Sequence, residues 1–244
     1  QLRSTINLIL LMQCLHQACH PWSSSLRCLP YFSDKVLNLL RTQYKIDCLP
    51  ELIEHKDAQK IVTSSKFSLP NAEAYKELLT LINGLPKLRA RVELRVLDPD
   101  SKEPNGGADA GVDEDGKEHK RQHRKGRLVS APYKVPPDSE LELTVVLQYD
   151  NMPLKFVHAP RFPKKKTFSW WCILGDTEVD ELVSIKKVIL PSRAKLERRV
   201  HFQFCSPADE VGETFTLSVL IMSDSWYGLD HQLNLSITTD DTAS

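Results

Sequence analysis

The chain has 244 residues, 41% apolar and 26% charged, the balance of a globular protein with enough apolar material for a sizeable core. Lys plus Arg and Asp plus Glu each total 32, so the net charge is zero and any affinity for nucleic acid or a membrane surface must come from local patches. No apolar run reaches the ~18 residues of a membrane span. The six scattered cysteines (Cys14, Cys19, Cys28, Cys48, Cys172 and Cys205) read as reduced thiols of a cytosolic or nuclear protein rather than as a disulfide framework.

The first element is "STINLILLMQCLHQACH". Ile6, Ile9, Leu10 and Gln13 follow helical spacing, and Leu8, Leu11, Met12 and Leu15 fill the other side. A helix apolar nearly all round is expected to be buried, so the chain is expected to be the tail of a longer protein. It lacks the cleavage-site signature of a signal peptide. On a continuous helix His16, Cys19 and His20 share a face while Cys14 points away, so no tetrahedral metal site is expected there.

Further helices are expected up to about residue 86. Ser33 can cap "DKVLNLL", where Val36, Leu37 and Leu40 share a face, and Pro50 suits the first position of "CLPELIEHKDAQKIV". In "NAEAYKELLTLINGLP", Asn71 is the cap, Tyr75, Leu78, Leu79 and Ile82 form the stripe, Gly84 is the left-handed stop and Pro86 forbids continuation.

After Pro86 the period becomes two. Alternating apolar residues mark strands at "KLRARVELRV", "ELELTVVLQY", "RRVHFQFC", "TFTLSVLI" and "QLNLSIT", while "WWCILGD" and "ELVSIKKVIL" read as more fully buried strands. Seven strands with no helical pattern between them predict an immunoglobulin-like β-sandwich. Residues 98–138, rich in Gly and charge, are expected to be a disordered insert.

Three stretches invite a functional reading. "SDSWYGLDHQ" (residues 223–232) collects two aspartates, a histidine and two aromatics, but it has no nucleophile before a helix and no phosphate-cradling loop. It is expected to be a strand connection in which Asp224 and Ser225 cap a turn and Gly228 supplies positive φ. Trp226 and Tyr227 then either seal the core or, with Asp230, face a partner. The basic clusters at Lys164, Lys165 and Lys166 and between Lys117 and Arg127 either hold phosphates or an import receptor or are plain solvated surface.

Together "SSLRCLPYFS", "IDCLPELIE", "APRFPKKKTFSWWCILGD", "ELVSIKKVIL" and "SDSWYGLDHQLNLSI" closely resemble the Sec sixty-three domain, over nearly the whole chain outside 98–138. That domain ends the cassettes of Ski-two-like DExH RNA helicases, of the spliceosomal and cointegrator-complex type, and also occurs in an endoplasmic-reticulum translocon component. The resemblance implies an α+β fold. Residues 1–30 would be the terminal helix of a truncated helical bundle, residues 31–86 a helix–hairpin–helix-like module, and residues 87–244 a fibronectin type III-like sandwich. It further implies no catalytic, cofactor-binding or metal-binding residue in this fragment, ATP being bound by the missing motor. The implied partners are the motor domains of the same chain, proteins of a ribonucleoprotein assembly and non-specific RNA, with no membrane contact, in the nucleus or cytoplasm. The alternative is the cytosolic part of the translocon component, at the cytosolic face of the endoplasmic reticulum.

Overall fold

The computed structural model describes residues 1–64, 67, 69–98, 110–112, 118–120, 126–190, 196–207 and 212–240. Among the described residues five α-helices come first: α1 (Leu2–Gln17), α2 (Asp34–Leu39), α3 (Leu49–Glu54), α4 (Ala58–Val62) and α5 (Ala72–Gly84). A 3-10 turn (Ser25–Cys28) follows α1, and a π turn (Leu40–Tyr44) extends α2.

Local chemistry sets these boundaries. Asn71 accepts from the Ala74 N–H at 2.8 Å, closing the start of α5, and Glu51 accepts from the Asp47 and Cys48 N–H groups ahead of α3. Ser33 precedes α2 in extended conformation, but its side chain makes no capping bond. Gly84 is not the expected left-handed stop, since the residue after it, Leu85, leaves the helix at φ −66°. A Cβ at Gly84 would lie 2.4 Å from Leu154 Cγ, so glycine stands there to admit Leu154, not to reverse the chain.

All seven expected strands form: β1 (Leu88–Leu97), β6 (Glu140–Tyr149), β7 (Trp170–Asp176), β8 (Glu181–Val188), β9 (Arg198–Cys205), β10 (Thr214–Ser223) and β11 (His231–Thr239). Four short strands fall inside the stretch expected to be a disordered insert: β2 (Ala110–Val112), β3 (Glu118–Lys120), β4 (Gly126–Val129) and β5 (Tyr133–Val135). β4 pairs antiparallel with β1 and β5 pairs parallel with β11, so residues 126–135 are sheet edges rather than loop. Of the basic run expected there, Lys117, Arg121, Arg124 and Lys125 lie outside the described residues.

The strands form two mostly antiparallel sheets, β4-β1-β6-β9 and β5-β11-β10-β7-β8, beside the small β2-β3 ribbon. Leu141, Leu143, Val145, Leu147 and Phe202 of the first and Trp170, Cys172, Leu174, Val219, Ile221, Leu235 and Ile237 of the second are buried in one cluster. That cluster continues through Leu26, Leu49, Leu52, Leu78 and Leu85 of the helical part. A second cluster covers the outer face of the five-stranded sheet, where Leu2 and Ile9 of α1 meet Ile173, Leu220 and Met222. β7 is therefore apolar on both faces, which explains its continuous apolar reading, and β10, read as alternating, is buried on both faces along most of its length.

Two expectations of burial fail. β8 alternates exposed and half-buried positions because it is the edge strand. α1 buries only one face, leaving Leu8 67%, Leu11 52% and Leu15 67% exposed.

Candidate interaction site around the 223–232 connection

The connection between β10 and β11 closes around two carboxylates. Asp224 is buried; its Oδ2 accepts from the Ser169 hydroxyl, and Lys166 Nζ and Lys187 Nζ lie 3.1 and 3.3 Å from it. The Ser225 hydroxyl donates to Oδ1 at 2.5 Å. Burial pushes the Asp224 carboxyl up, but the two hydroxyl donors and the Lys166 charge outweigh it and hold the group below its ordinary range.

Lys166 also donates to the Asp224 carbonyl at 3.2 Å and to His16 Nε2 at 3.0 Å, so its three donors are all engaged. His16 Nδ1 meets the Met12 carbonyl at 2.7 Å, so Nδ1–H donates there while Nε2 accepts from the ammonium; this is the neutral tautomer. Burial, with help from the Lys166 charge, lowers the His16 pKa. This constellation has the residue types of an acid–base site without the geometry of one. The serines donate to the aspartate, and the imidazole's free lone pair faces a cation.

Asp230 binds the chain back to α1. Its carboxylate accepts from Gln13 Nε2 at 2.9 and 3.1 Å and from the Ser223 N–H at 2.8 Å. Gln13 also donates to the Ser223 carbonyl, and Gln17 to the Ser225 carbonyl. Burial raises the Asp230 pKa to about 6 despite these donors. Gly228 has φ +86°, as expected of the turn, and a Cβ there would sit 2.4 Å from Ser25 Cβ.

The six residues expected to bind a partner therefore separate. Trp226, expected to be an exposed contact if it did not seal the core, is 1% exposed within the main cluster, and Ser223 Oγ accepts from its backbone N–H at 3.0 Å. Tyr227 is half-buried and donates its hydroxyl to the Pro21 carbonyl. Asp230 and Lys166 are engaged within the chain as described. Lys164 and Lys165 are exposed, and Lys165 Nζ lies 5.6 Å from the Phe156 ring centroid. Gln13, Ser169 and Lys187 were missed by sequence reasoning. Gln13 alone carried a signal, as the one amide on an apolar helical stripe.

An open cleft of about 460 Å³ runs past Trp22, Arg27, Asp34, Arg41 and Asp47, but Arg27 pairs with Asp34 and Arg41 with Asp47, so its charges largely cancel. Among the described residues no group of three or more His, Cys, Asp or Glu could hold a metal ion, and no helix is long and apolar enough to cross a membrane.

A family model described as the Sec63 Brl domain matches residues 1–236. The chain is 25% identical over 234 residues to the U5 small nuclear ribonucleoprotein 200 kDa helicase of Drosophila melanogaster, covering 96% of this chain and 9% of that protein. It is 26% identical over 262 residues to activating signal cointegrator 1 complex subunit 3 of Rattus norvegicus, covering 99% and 11%. Against the DExH-box ATP-dependent RNA helicase DExH12 of Arabidopsis thaliana it is 32% identical over 106 residues, 42% of this chain and 5% of the relative. The chain thus spans a small part of the length of these relatives.

Proposed function

The chain belongs to the Sec63 Brl domain family, and from that premise we propose that it is the non-catalytic Sec63 domain of a DExH RNA helicase, bracing the motor and offering a docking surface within a ribonucleoprotein. The helicase names of the relatives favour this over the translocon reading. On this reading ATP binds the motor elsewhere in the parent, the sandwich is of fibronectin type III type, and the protein works in the nucleus or cytoplasm. Exposed Lys164 and Lys165 supply the contact to protein or RNA partners.

The bracing role is carried by the outer face of α1. Leu8, Leu11 and Leu15 recur at spacings of three and four along the exposed face of the helix. Such a stripe is the seam of helix–helix packing. Its occupant in this reading is the rest of the parent's helical bundle.

Leu8→Lys, Leu11→Glu and Leu15→Lys together test this. The isolated chain should melt almost as before, because exposed substitutions cost within ~0.5 kcal/mol each. Co-purification with the preceding part of the parent helicase should be lost. Undiminished association of the triple variant would overturn the reading.

A further inference from the structure

Residues 150–169 join β6 to β7 without a helix or strand of their own. Connections of that length are linkers or working surfaces, and this one is fastened in place. Asn151 Oδ1 accepts from the Lys87 N–H and the Gly84 carbonyl from the Leu154 N–H, both at 2.9 Å. Farther on, the Val157 N–H donates to the Lys166 carbonyl at 2.8 Å, drawing the two arms together, and the Phe162 ring centroid lies 4.4 Å from that of His16 in α1. The fastened loop turns Phe156 outward, 38% exposed, with Lys155 Nζ 5.4 Å and Lys165 Nζ 5.6 Å from its ring centroid.

The charge on this loop is of one sign. No aspartate or glutamate occurs between Asp150 and Asp176, whereas Lys155, Arg161, Lys164, Lys165 and Lys166 all fall there. Lys166 is engaged by Asp224 and His16. The other four are exposed, and among the described residues none of them is in an ion pair. We infer, building on the helicase reading above, that this loop is a binding platform for single-stranded RNA. A base stacks on Phe156, while Lys155, Lys165, Lys164 and Arg161 hold the neighbouring phosphates.

The pairing of an exposed ring with unpaired cations selects this occupant. Each nucleotide of a single strand brings one π-face and one phosphate, which match the ring and the ammonium groups beside it. An acidic peptide brings carboxylates for the cations but no π-face at each residue. Duplex RNA meets the cations alone, because its bases are stacked on one another and closed to the ring. A base arriving on Phe156 displaces an ammonium from the ring to the adjoining phosphate, exchanging a cation–π contact at an exposed site for an ion pair.

The test titrates a fluorescent oligouridine of about 12 nucleotides with the 244-residue chain and follows anisotropy at about 50 and 200 mM salt. Binding should weaken as salt rises. Phe156→Ala should weaken it about fivefold or more and leave the salt dependence unchanged, since a stacked base is lost but no phosphate contact. Lys155→Gln and Lys165→Gln should each flatten the slope of log K against log salt by about 0.7, one phosphate contact of a single strand. All three positions are exposed, so the thermal melts should stay in place. No binding at the lower salt, equal affinity for a duplex of the same length, or indifference to Phe156→Ala overturns the proposal. Equal affinity for a polyglutamate of matched charge also overturns it, and marks an acidic protein partner instead. The helicase reading is judged separately, by association with the preceding part of the parent: that association persisting while the oligouridine fails to bind overturns the platform alone.

Discussion

Asp224 and Asp230 sit six residues apart and burial pushes both carboxyls up, but two serine hydroxyl donors and a cationic neighbour hold only Asp224 below its ordinary range. Lys166 and Lys187 flank Asp224, whereas Asp230 has an amide and a backbone N–H. Asp224, held below its usual range, contributes stability that is present above pH 3.8 and lost as pH falls through its lower folded value. Asp230, raised from 3.8 to about 6, does the reverse: its contribution is full below pH 3.8 and is lost as pH rises to about 6. Asp230→Asn should therefore remove a pH dependence of up to about 3 kcal/mol between pH 4 and 6, the difference being read from denaturant melts of both proteins. Parallel stability curves for the two would contradict it. Among these residues the role of Gly228 was legible in the sequence, since a turn between two alternating strands calls for positive φ. The partners of Asp224 were not, because Ser169, just ahead of β7, and Lys187, in β8, are far from it in sequence.

At the scale of elements, the register shows how much of the 98–138 stretch the sandwich needs. Leu97 pairs with Gly126, so the ends of β1 and β4 are already adjacent. Replacing residues 99–125 by one glycine leaves Asp-Gly between Leu97 and Gly126, the chemistry of a two-residue hairpin. That variant should melt within ~4 °C of the parent, since loop length costs little. Removing residues 98–138 instead deletes β4 and β5 and the fully buried Val135, and should lower the midpoint by more than ~8 °C. Equal melting of the two deletions would show that β4 and β5 contribute nothing. Composition marked this region as loop because short edge strands take their stability from the strand they pair with, not from an apolar run of their own.

At the scale of the whole molecule, helices and sheets share one apolar cluster and are stitched by polar contacts. Gln13 of α1 donates to the Ser223 carbonyl of β10 at 2.7 Å, the Leu154 N–H donates to the Gly84 carbonyl at 2.9 Å, and Asn151 donates to the Leu85 carbonyl at 2.8 Å. The chain should therefore unfold in one transition. Leu49→Ala, at a fully buried position, should cost ~2–5 kcal/mol and lower the helical signal at 222 nm and the tryptophan fluorescence together. Separate midpoints for the two signals would mean that helical part and sandwich fold independently.

Period and punctuation alone determined where most of the helices and the seven long strands lie, because an alternating or helical stripe must face a core whatever that core is. Tertiary structure decided which stripes stay in solvent. Gln13 and Leu15 belong to the same helix, yet one meets Asp230 and the other meets water, since only one face of α1 lies against the five-stranded sheet. It also decided that Trp226 turns inward and that the Cys19 N–H turns back to the Cys14 carbonyl. Those outcomes depend on where a helix stops and which loops it meets, and contacts between residues far apart in sequence leave no local pattern to read.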